Sequence, residues 1–385
     1  MTKKKTVLVL GTNAGQADLI RHMVSRGWHT IGCAHVSGLP GEALAHGFEK
    51  VDVRDVDAVA ALARRIGADL VYSVSSDLAI KTAIAVSERL GLPHFYDSGL
   101  IELLDQKHLL RALLNERGLS VVPYTRLSSG AEAGGWTEFP CVVKPADAQG
   151  QRGVVVVHSV EALAPAVDAA VAISPTRTAI IERYLSGVEV SSNVLVRDGK
   201  VVINEVSERL VHRGELFGIP KGHLVPCYNV SPADCEAVRQ LVRDVVAAMG
   251  LDKGCLYFQM KITPDGPKII EIAPRLDGCH MWRLIFHSRG IDFLEATVDA
   301  LIDLPMRDYR PRADIPVHEL IFQQTPPHVA FSCAGFPQPF DALYHEYRYA
   351  DGEAVQPING RLEVAGYYVR TSRDADIARY EAEKP

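Results

Sequence analysis

The sequence predicts an α/β protein that begins with an open parallel sheet and continues into mixed α+β structure. Over residues 6–100, short apolar runs alternate with helical patterns, a rhythm typical of βαβ units with helices on both faces of the sheet. After residue 100, apolar runs of strand length become more frequent, and glycine-bearing turns separate them. At 385 residues, 47% of them hydrophobic, the chain is long enough for two or three domains.

Three strands and three helices are predicted in the first domain. Continuous apolar runs indicate buried strands, and apolar residues at intervals of three and four indicate amphipathic helices. Gly27 and Gly91 follow two of the helices, where a left-handed residue commonly ends a helix. The predicted elements are, in chain order, strand 6–10, helix 17–26, strand 29–34, helix 56–66, strand 69–74 and helix 78–90.

The turn after the first predicted strand, GTNAGQ, argues against a dinucleotide-binding enzyme. The Rossmann fingerprint requires G-x-G-x-x-G at this turn and an acidic residue at the end of the second strand. Asn13 stands at the second glycine, and the second strand ends in Cys33, Ala34 and His35. A nicotinamide- or flavin-dependent dehydrogenase is therefore a distant alternative. The turn either holds a carboxylate or phosphate, or is a plain connection between strand and helix.

The second half of the chain is predicted to contain more strands than helices. One helix is expected from residue 100 to Gly118, and a long amphipathic helix over 235–250. A hairpin follows, whose Pro-Asp-Gly turn lies at 264–266, and a further helix is expected over 292–302. Residues 317–385 read as a small α+β appendage.

Composition argues against several classes of protein. A net charge of −6 has the wrong sign for a typical nucleic-acid binder. The seven cysteines are scattered without a CxxC or Cys/His pattern, so we expect reduced thiols in a cytoplasmic protein. The apolar run after MTKKK is too short for a signal peptide or a membrane span, and neither is predicted.

Lys144 and the glycine loop that follows it form the first candidate site. Lys144 ends a predicted strand, and the loop residues 150–153 (GQRG) precede the next strand. Backbone N–H groups of such a loop can cover a polyphosphate, while Lys144 supplies a fixed charge and Arg152 a mobile one. The Walker pattern is absent, and a solvated hairpin loop with one lysine explains the stretch equally well.

The stretch IIERYLSGVEVS forms the second candidate site. Its apolar strand breaks at residues 182–185, and Glu189 opens the next strand. A break of this type can offer backbone groups to the edge of an adenine, while a nearby carboxylate binds ribose hydroxyls. The alternative is a charged linker with a surface glutamate.

A hairpin near residue 264 carries the third candidate site. Gln259 lies on its outgoing strand, and Glu271 lies within the apolar return strand, where an unpaired carboxylate is costly. Cross-strand neighbours can bring two oxygen ligands to one face, as a magnesium ion bound to polyphosphate requires. Arg275 would then face a phosphate oxygen. The alternative is a plain ion pair between Glu271 and Arg275.

In this order, these stretches resemble the ATP-grasp superfamily of carboxylate–amine ligases. The resemblance rests on FPCVVKPADAQGQRGV, IIERYLSGVEVS and FQMKITPDGPKIIEIAPRLDG, after a Rossmann-like domain that ends in DQK, and it covers nearly the whole chain. It implies an ATP-grasp fold, with a Rossmann-like domain over 1–100 and an ATP-grasp domain over 101–310. Two α+β subdomains, the ATP lid over 101–185 and the metal- and substrate-binding part over 186–310, would enclose ATP. Residues 311–385 would form a small C-terminal α+β region.

The resemblance also implies roles for the candidate residues. Lys107 and Lys144 match lysines that contact ATP phosphates, and Arg275 matches an arginine that steadies an acyl-phosphate intermediate. Gln259 and Glu271 match ligands of Mg²⁺, with Mn²⁺ as an alternative ion. The other nucleotide-binding positions are Gly150, Gln151, Arg152, Gly153, Glu182, Arg183, Tyr184, Leu185 and Glu189.

Substrate recognition is predicted from basic residues. The segment over 205–226 lies where this family often folds a loop over its substrate, and a solvated loop is the alternative. After Arg275, the stretch GCHMWRL offers Arg283 as a catalytic residue that binds a second carboxylate. The candidate substrate residues of the segment are Arg209, His212, Arg213 and His223.

The resemblance implies that ATP activates a small carboxylate, such as an amino acid, and that an amine then attacks to form an amide. Small-molecule acids and amines are the expected partners, without nucleic acid or membrane, and a homodimer is expected by resemblance alone. Within the same fold, an ATP-dependent phosphotransferase or carboxylase is an alternative. From another class, a non-catalytic ATP-binding regulatory protein is the alternative, for which Ala273, in place of a metal-binding asparagine, is the only hint.

Overall fold

The computed structural model describes residues 4–148, 150–357 and 360–373, with the backbone alone for Glu215. Within these residues the chain forms a parallel sheet of four strands, an antiparallel sheet of four strands and an antiparallel sheet of eight strands. We call the last two the small sheet and the large sheet. The described residues also contain four short 3₁₀ turns, at Glu42–Leu44, Gly130–Gly135, Gly214–Leu216 and Cys333–Gly335.

The first domain is the predicted parallel α/β sheet. Its elements are β1 (Thr6–Leu10), α1 (Ala14–Ser25), β2 (His29–Ala34), β3 (Gly47–Lys50), α2 (Val56–Ile66), β4 (Leu70–Tyr72) and α3 (Asp77–Leu90). The strand order is β3-β2-β1-β4, and all three pairings are parallel. Strand β3 was not predicted, because its half-buried residues GFEK form no apolar run at this edge of the sheet.

Local capping explains where the helices of this domain begin. The Asn13 side chain accepts a hydrogen bond from the backbone N–H of Gly15 at 3.1 Å and so caps α1. Asp55 caps α2 in the same way through Ala58, and Gly67 ends that helix in the left-handed conformation. The asparagine that breaks the dinucleotide fingerprint is therefore a helix cap.

The connection to the next domain consists of two helices, α4 (Ser98–Asp105) and α5 (Lys107–Glu116). The prediction of one continuous helix was wrong at Gln106, whose backbone is extended at ψ 98°. After this break the N–H of Lys107 donates to the carbonyl of Ala146 at 3.0 Å, outside the helix. A hydrogen bond to a distant loop has thus replaced a hydrogen bond within the helix. The spacing of apolar residues in the sequence does not reveal such a replacement.

The small sheet has the order β5-β8-β6-β7. Its elements are β5 (Tyr124–Leu127), β6 (Cys141–Pro145), β7 (Val155–Val157), α6 (Leu163–Ile173) and β8 (Ala179–Arg183). Helix α6 covers one face, where Leu163 and Val167 pack in one core with Val143 and Ile181. The opposite face of the sheet therefore remains available to a second wall.

The large sheet provides that second wall. Its elements are β9 (Val188–Arg197), β10 (Lys200–Val211), β11 (Pro220–Val225), α7 (Pro232–Ala248), β12 (Gly254–Thr263), β13 (Gly266–Ala273), α8 (Met281–Arg289), α9 (Phe293–Leu301), β14 (His318–Thr325), β15 (Tyr344–Tyr347) and β16 (Glu363–Thr371). The strand order is β13-β12-β9-β10-β11-β14-β16-β15. Helices α7, α8 and α9 pack on this sheet, and the predicted turn at 264–266 joins β12 to β13.

The C-terminal strands continue the large sheet. Strand β14 pairs with β11, where Val225 lies opposite His318, and β16 pairs with β14. Strands on both sides of the predicted boundary at residue 311 therefore belong to the same sheet. Residues 374–385 of the predicted C-terminal region lie outside the described residues. The division into domains stays a prediction.

Part of the basic segment over 205–226 was expected to form a loop over the substrate, although its first residues end the strand-like run KVVINEVSERL. Most of it belongs to β10 and β11, so that the connecting loop spans only residues 212–219. Arg209 and His223 lie opposite each other in the two strands. Arg209 can lie in a buried strand because it forms an ion pair with Glu189. The sequence alone does not show this pairing, and the charged residues therefore suggested a solvated segment.

The first sheet and the large sheet share one apolar core. Val7 and Val9 of β1 point into it, together with Leu195 of β9 and Tyr367 of β16. On its other face, β1 contributes Leu8 and Leu10 to a separate core beneath α2 and α3. Among the described residues, no helix combines the length and the apolar character needed to cross a membrane.

Replacing Leu195 with alanine should destabilise this shared core. Leu195 is fully buried in β9, and a buried leucine-to-alanine change costs about 2–5 kcal/mol because a cavity remains. Urea unfolding followed by circular dichroism would measure the loss. Val202→Ala, on the neighbouring strand β10 with 36% of Val202 exposed, should change the stability by no more than about 0.5 kcal/mol. Equal effects of the two changes would contradict this account of the core.

Candidate active site

A cleft with an interior volume of about 120 Å³, partly open to solvent, lies between the small sheet and the large sheet. Both walls contribute residues, since β6 and β8 form one side and β12 and β13 the other. The lining residues are Lys107, Val142, Lys144, Ala148, Gly150, Gln151, Val154, Glu182, Arg183, Tyr184, Leu185, Glu189, Phe217, Gly218, Gln259, Lys261, Ile270 and Glu271. The structure thus brings together most of the predicted nucleotide- and metal-binding positions.

A buried cluster of three charges forms one side of the cleft. Glu182 of β8 pairs with Lys144 of β6, and its other oxygen accepts from Nε of Arg111 at 2.9 Å. Burial raises the pKa of Glu182, but the Lys144 and Arg111 charges outweigh burial and lower that pKa to about 2. Burial also lowers the pKa of Lys144, against the opposing charge of Glu182. The Glu182 carboxylate thus forms ion pairs with two basic side chains. The prediction that Glu182 belongs to an adenine-binding hinge did not include this role.

Lys107 and the glycine loop lie beside this cluster. The Nζ atom of Lys107 donates to the carbonyl of Ala148 at 2.8 Å, so its charge is held just before the loop. Gly150 has φ +65° and Gln151 has φ +57°, which together turn the chain over the cleft. The side-chain amide of Gln151 reaches the carbonyl of Gly218 in the loop over 212–219, at 2.5 Å. Arg152 is exposed, and neither Arg152 nor Gly153 lines the cleft.

The residues of the predicted adenine hinge line the cleft. The ring of Tyr184 lies 6.2 Å from that of Phe217. Between them, Nζ of Lys261 lies 5.2 Å and 5.5 Å from the two ring centroids and donates to the carbonyl of Leu185 at 3.1 Å. Arg183 points outward and pairs with Glu138 at 2.6 Å.

Gln259 and Glu271 lie directly opposite each other in the pairing of β12 with β13, as the hairpin prediction requires. The register shifts immediately after this pair, so Ile270 is an extra residue in β13. Both Ile270 and Glu271 consequently line the cleft. Among the described residues, the half-buried Glu271 carboxylate has no hydrogen bond or ion pair.

Arg275 does not pair with Glu271. Its guanidinium instead binds both oxygens of Asp77, at the start of α3, at 2.5 Å and 2.8 Å. The opposing charge of Asp77 outweighs burial and raises the pKa of Arg275. The alternative reading, a local ion pair at the strand end, is thus absent in the described structure, and Arg275 itself lies outside the cleft lining.

Glu189, the predicted ribose-binding acid, has two protein partners. It forms a buried ion pair with Arg209, and the same carboxylate oxygen lies 2.5 Å from the amide nitrogen of Gln259. Lys261 faces Glu189 across the β9–β12 pairing. The amide oxygen of Gln259 is left for another ligand.

Three of the four predicted substrate residues line a second pocket, which shares Tyr184, Glu189, Phe217 and Lys261 with the cleft. These three are Arg209, His212 and Arg213. His223 is not among them, because its ring is fully buried beside Ser207, with Nδ1 3.2 Å from the hydroxyl.

Arg283 lies far from these pockets in the fold, on the side of α8 that faces α1. It pairs with Asp18 at 2.5 Å and stacks 4.4 Å above the ring of Tyr344. The pocket that Arg283 lines shares no residue with the cleft. The geometry therefore gives no support to a catalytic role for Arg283, because its charge is directed to Asp18.

Sequence reasoning missed Arg111, Lys261 and Phe217. Arg111 shares one face of α5 with Leu110 and Leu114, and an arginine on an apolar helix face indicates a buried partner. Lys261 follows Gln259 by two residues in β12, and residues two apart in a strand lie on the same face. The sequence could therefore have indicated that Lys261 lies beside the predicted metal ligand. Phe217 lies in a connection without periodicity, and its place next to Tyr184 depends on the tertiary fold.

Comparison with known proteins agrees with this geometry. Residues 137–282 match the family model of the ATP-grasp domain. The chain is 26% identical over 308 residues to phosphoribosylamine–glycine ligase of Caulobacter vibrioides, a match that covers 71% of this chain and 67% of that protein. It is 21% identical over 242 residues to the arginine-specific carbamoyl phosphate synthase large chain of Schizosaccharomyces pombe, covering 61% of this chain but only 21% of that protein.

Among solved structures, the L-amino acid ligase from Bacillus licheniformis superposes with a TM-score of 0.81 at 17% identity, covering 99% of this chain and 97% of that chain. At this identity the superposition shows the fold, which the prediction of an α/β ATP-grasp architecture had anticipated. The family model assigns residues 137–282 to the ATP-grasp domain, and the curated relatives and the fold of the whole chain agree with that assignment.

Proposed function

We propose that this protein is an ATP-dependent ligase that activates a small carboxylate as an acyl phosphate and joins it to an amine, releasing ADP and phosphate. The observation that carries the proposal is the Glu271 carboxylate, which faces the cleft opposite Gln259 without a partner among the described residues. A buried or half-buried carboxylate in this position is best explained by a cation that arrives with a nucleotide.

The lining of the cleft suits both parts of ATP. Tyr184, Leu185 and Phe217 offer aromatic and backbone groups that fit an adenine ring. Lys107, Lys144 and the glycine loop supply positive charge and backbone N–H groups for phosphates. The names of the matched ligases and synthase support ATP-dependent chemistry on carboxyl groups.

Gln259 and Glu271, which also line the cleft, fit Mg²⁺. The carboxylate of Glu271 and the amide oxygen of Gln259 are hard oxygen donors on one face of a hairpin, which is the donor type that Mg²⁺ prefers. Bound there, the ion would neutralise charge on the phosphates. Glu189 keeps the amide nitrogen of Gln259 occupied, so the amide oxygen is oriented away from it.

This chain's own residues would then position the reactants. The cluster of Lys144, Glu182 and Arg111 fixes a lysine charge at the cleft wall, so a phosphate can be bound without moving that wall. The second pocket adjoins the cleft and carries Arg209, His212 and Arg213. Because Glu189 and Glu208 line the same pocket, its mixed charges suit a zwitterion such as an amino acid, which we propose as the substrate class.

A screen of small acids and amines for ADP release, with mass spectrometry of the products, tests the proposed function. The expected result is ADP release that requires both an acid and an amine, together with the mass of their amide. ADP release that requires bicarbonate would favour a carboxylase of the same fold. Binding of ATP without turnover across the whole panel would favour a regulatory protein and would overturn the ligase proposal.

Replacing Glu271 with glutamine should lower the turnover number by about 100-fold or more, because the removed negative ligand contributes several kcal/mol through the metal. Steady-state ADP release over a range of Mg²⁺ concentrations would measure the effect. The matched control is Glu116→Gln at the exposed end of α5, which should leave turnover unchanged. Unchanged turnover in Glu271→Gln would remove this carboxylate from the metal site.

Replacing Lys144 with methionine should raise the KM for ATP by about 10-fold or more, since a charge-assisted contact to phosphate contributes about 1.5–3 kcal/mol. Arg111 still pairs with Glu182 in this variant, so the wall is expected to fold. Lys253→Met serves as the control, because Lys253 pairs with Asp303 at 2.7 Å outside the cleft lining. If both variants bind ATP with equal affinity, Lys144 does not contact the nucleotide.

A further inference from the structure

A second cluster of ligating side chains lies outside the cleft lining. It consists of His223 on β11, and of Asp277 and Cys279 in the connection between β13 and α8. One ligand atom from each of the three residues lies within 4.8 Å of the other two. His223 is fully buried, Asp277 is 3% exposed and Cys279 is half-buried. The proposed ligase chemistry uses none of them.

Two members of the cluster each have a buried polar atom without a partner among the described residues. These atoms are Nε2 of His223 and Oδ2 of Asp277. The opposite atoms are held, since Nδ1 of His223 lies 3.2 Å from the Ser207 hydroxyl and Oδ1 of Asp277 accepts from the N–H of Cys279 at 3.0 Å. A buried carboxylate oxygen with no donor is costly, so the geometry indicates a missing ligand.

The surrounding charges leave room for a cation. Arg209 and Arg275 both act on Asp277, but each guanidinium already has its own carboxylate, Glu189 and Asp77 respectively. His223 presents the unpartnered Nε2 to the cluster while its Nδ1 lies beside the Ser207 hydroxyl, so the ring can accept a metal ion at Nε2.

We propose that His223, Asp277 and Cys279 bind a transition-metal ion of the Zn²⁺ class, at a site separate from the Mg²⁺ ligands Gln259 and Glu271. An imidazole nitrogen, a carboxylate oxygen and a thiolate sulfur form a donor set that Zn²⁺ accepts and that Mg²⁺ does not. Three protein ligands leave the fourth tetrahedral position for water or a substrate group. Ser207 orients the imidazole through its other nitrogen, as residues behind metal ligands commonly do.

Binding requires two adjustments. Bonds of about 2.0–2.3 Å place tetrahedral ligand atoms roughly 3.3–3.8 Å apart, so the three side chains close by about 1 Å. The thiol of Cys279 loses its proton to solvent as the sulfur–metal bond forms, and the metal replaces that proton without any change of oxidation state. This proposal does not depend on the proposed ligase function.

Cobalt titration of the chelator-treated, full-length protein tests the site, because Co²⁺ reports its ligands by absorption. The expected result is one Co²⁺ per chain with a thiolate-to-cobalt charge-transfer band in the near ultraviolet. Equimolar Zn²⁺ should abolish the band, whereas excess Mg²⁺ should not. Proton release of one equivalent should accompany binding near neutral pH, because the thiol is protonated in the free protein.

Variants separate this site from adventitious binding. Cys279→Ser should remove the charge-transfer band, and His223→Gln should weaken Co²⁺ binding by at least about 10-fold, both with unchanged circular dichroism. Cys333→Ser is the matched control, since that cysteine lies in the turn Cys333–Gly335 outside the cluster and should keep the band. Folded wild-type protein that binds no Co²⁺, or a band that survives Cys279→Ser, would overturn the proposal, whatever the outcome of the ligase screen.

Discussion

The guanidinium of Arg111 is the contact on which the cleft depends. It donates to Glu182 in the small sheet and, through Nη2, to the carbonyl of Ile269 in the large sheet at 2.9 Å. One side chain on a connecting helix thus ties together two walls that share no strand pairing. Buried charges are stable only when their partners are complete, so the separation of the walls and the charge of the cleft are set by the same group.

Pairing of buried charges also explains which groups remain for ligands. Around the cleft, Arg275 pairs with Asp77, Arg209 with Glu189, and Glu182 with two cations. Glu271 has no such partner among the described residues, although its strand neighbours are largely apolar. Because Arg275, Arg209 and Glu182 are paired within the protein, the unpaired Glu271 carboxylate is informative. The proposed magnesium site and the proposed zinc site both rest on buried or half-buried polar groups that have no partner among the described residues.

Local signals in the sequence predicted the parallel first domain, the hairpin turn and the pairing of Gln259 with Glu271, because period, caps and turn residues act over a few positions. Contacts between distant residues were not predictable in this way. Arg275 pairs with Asp77, which lies 198 residues away in the sequence. After the break at Gln106, the N–H of Lys107 donates to the carbonyl of Ala146, which directly follows β6. The strand that carries His223 was not predicted, because its residues PKGHLV form neither an apolar run nor a clear alternation.

The position of β14 next to β11 has a consequence for how the protein can be divided. A chain cut before β14 would leave β11 as an edge, with its outward N–H and C=O groups unpaired over four register positions, Gly222 to Val225. Such an edge is a template for the strand of another molecule, and aggregation is the usual result. The last strands therefore cover an edge of the large sheet that β11 would otherwise expose.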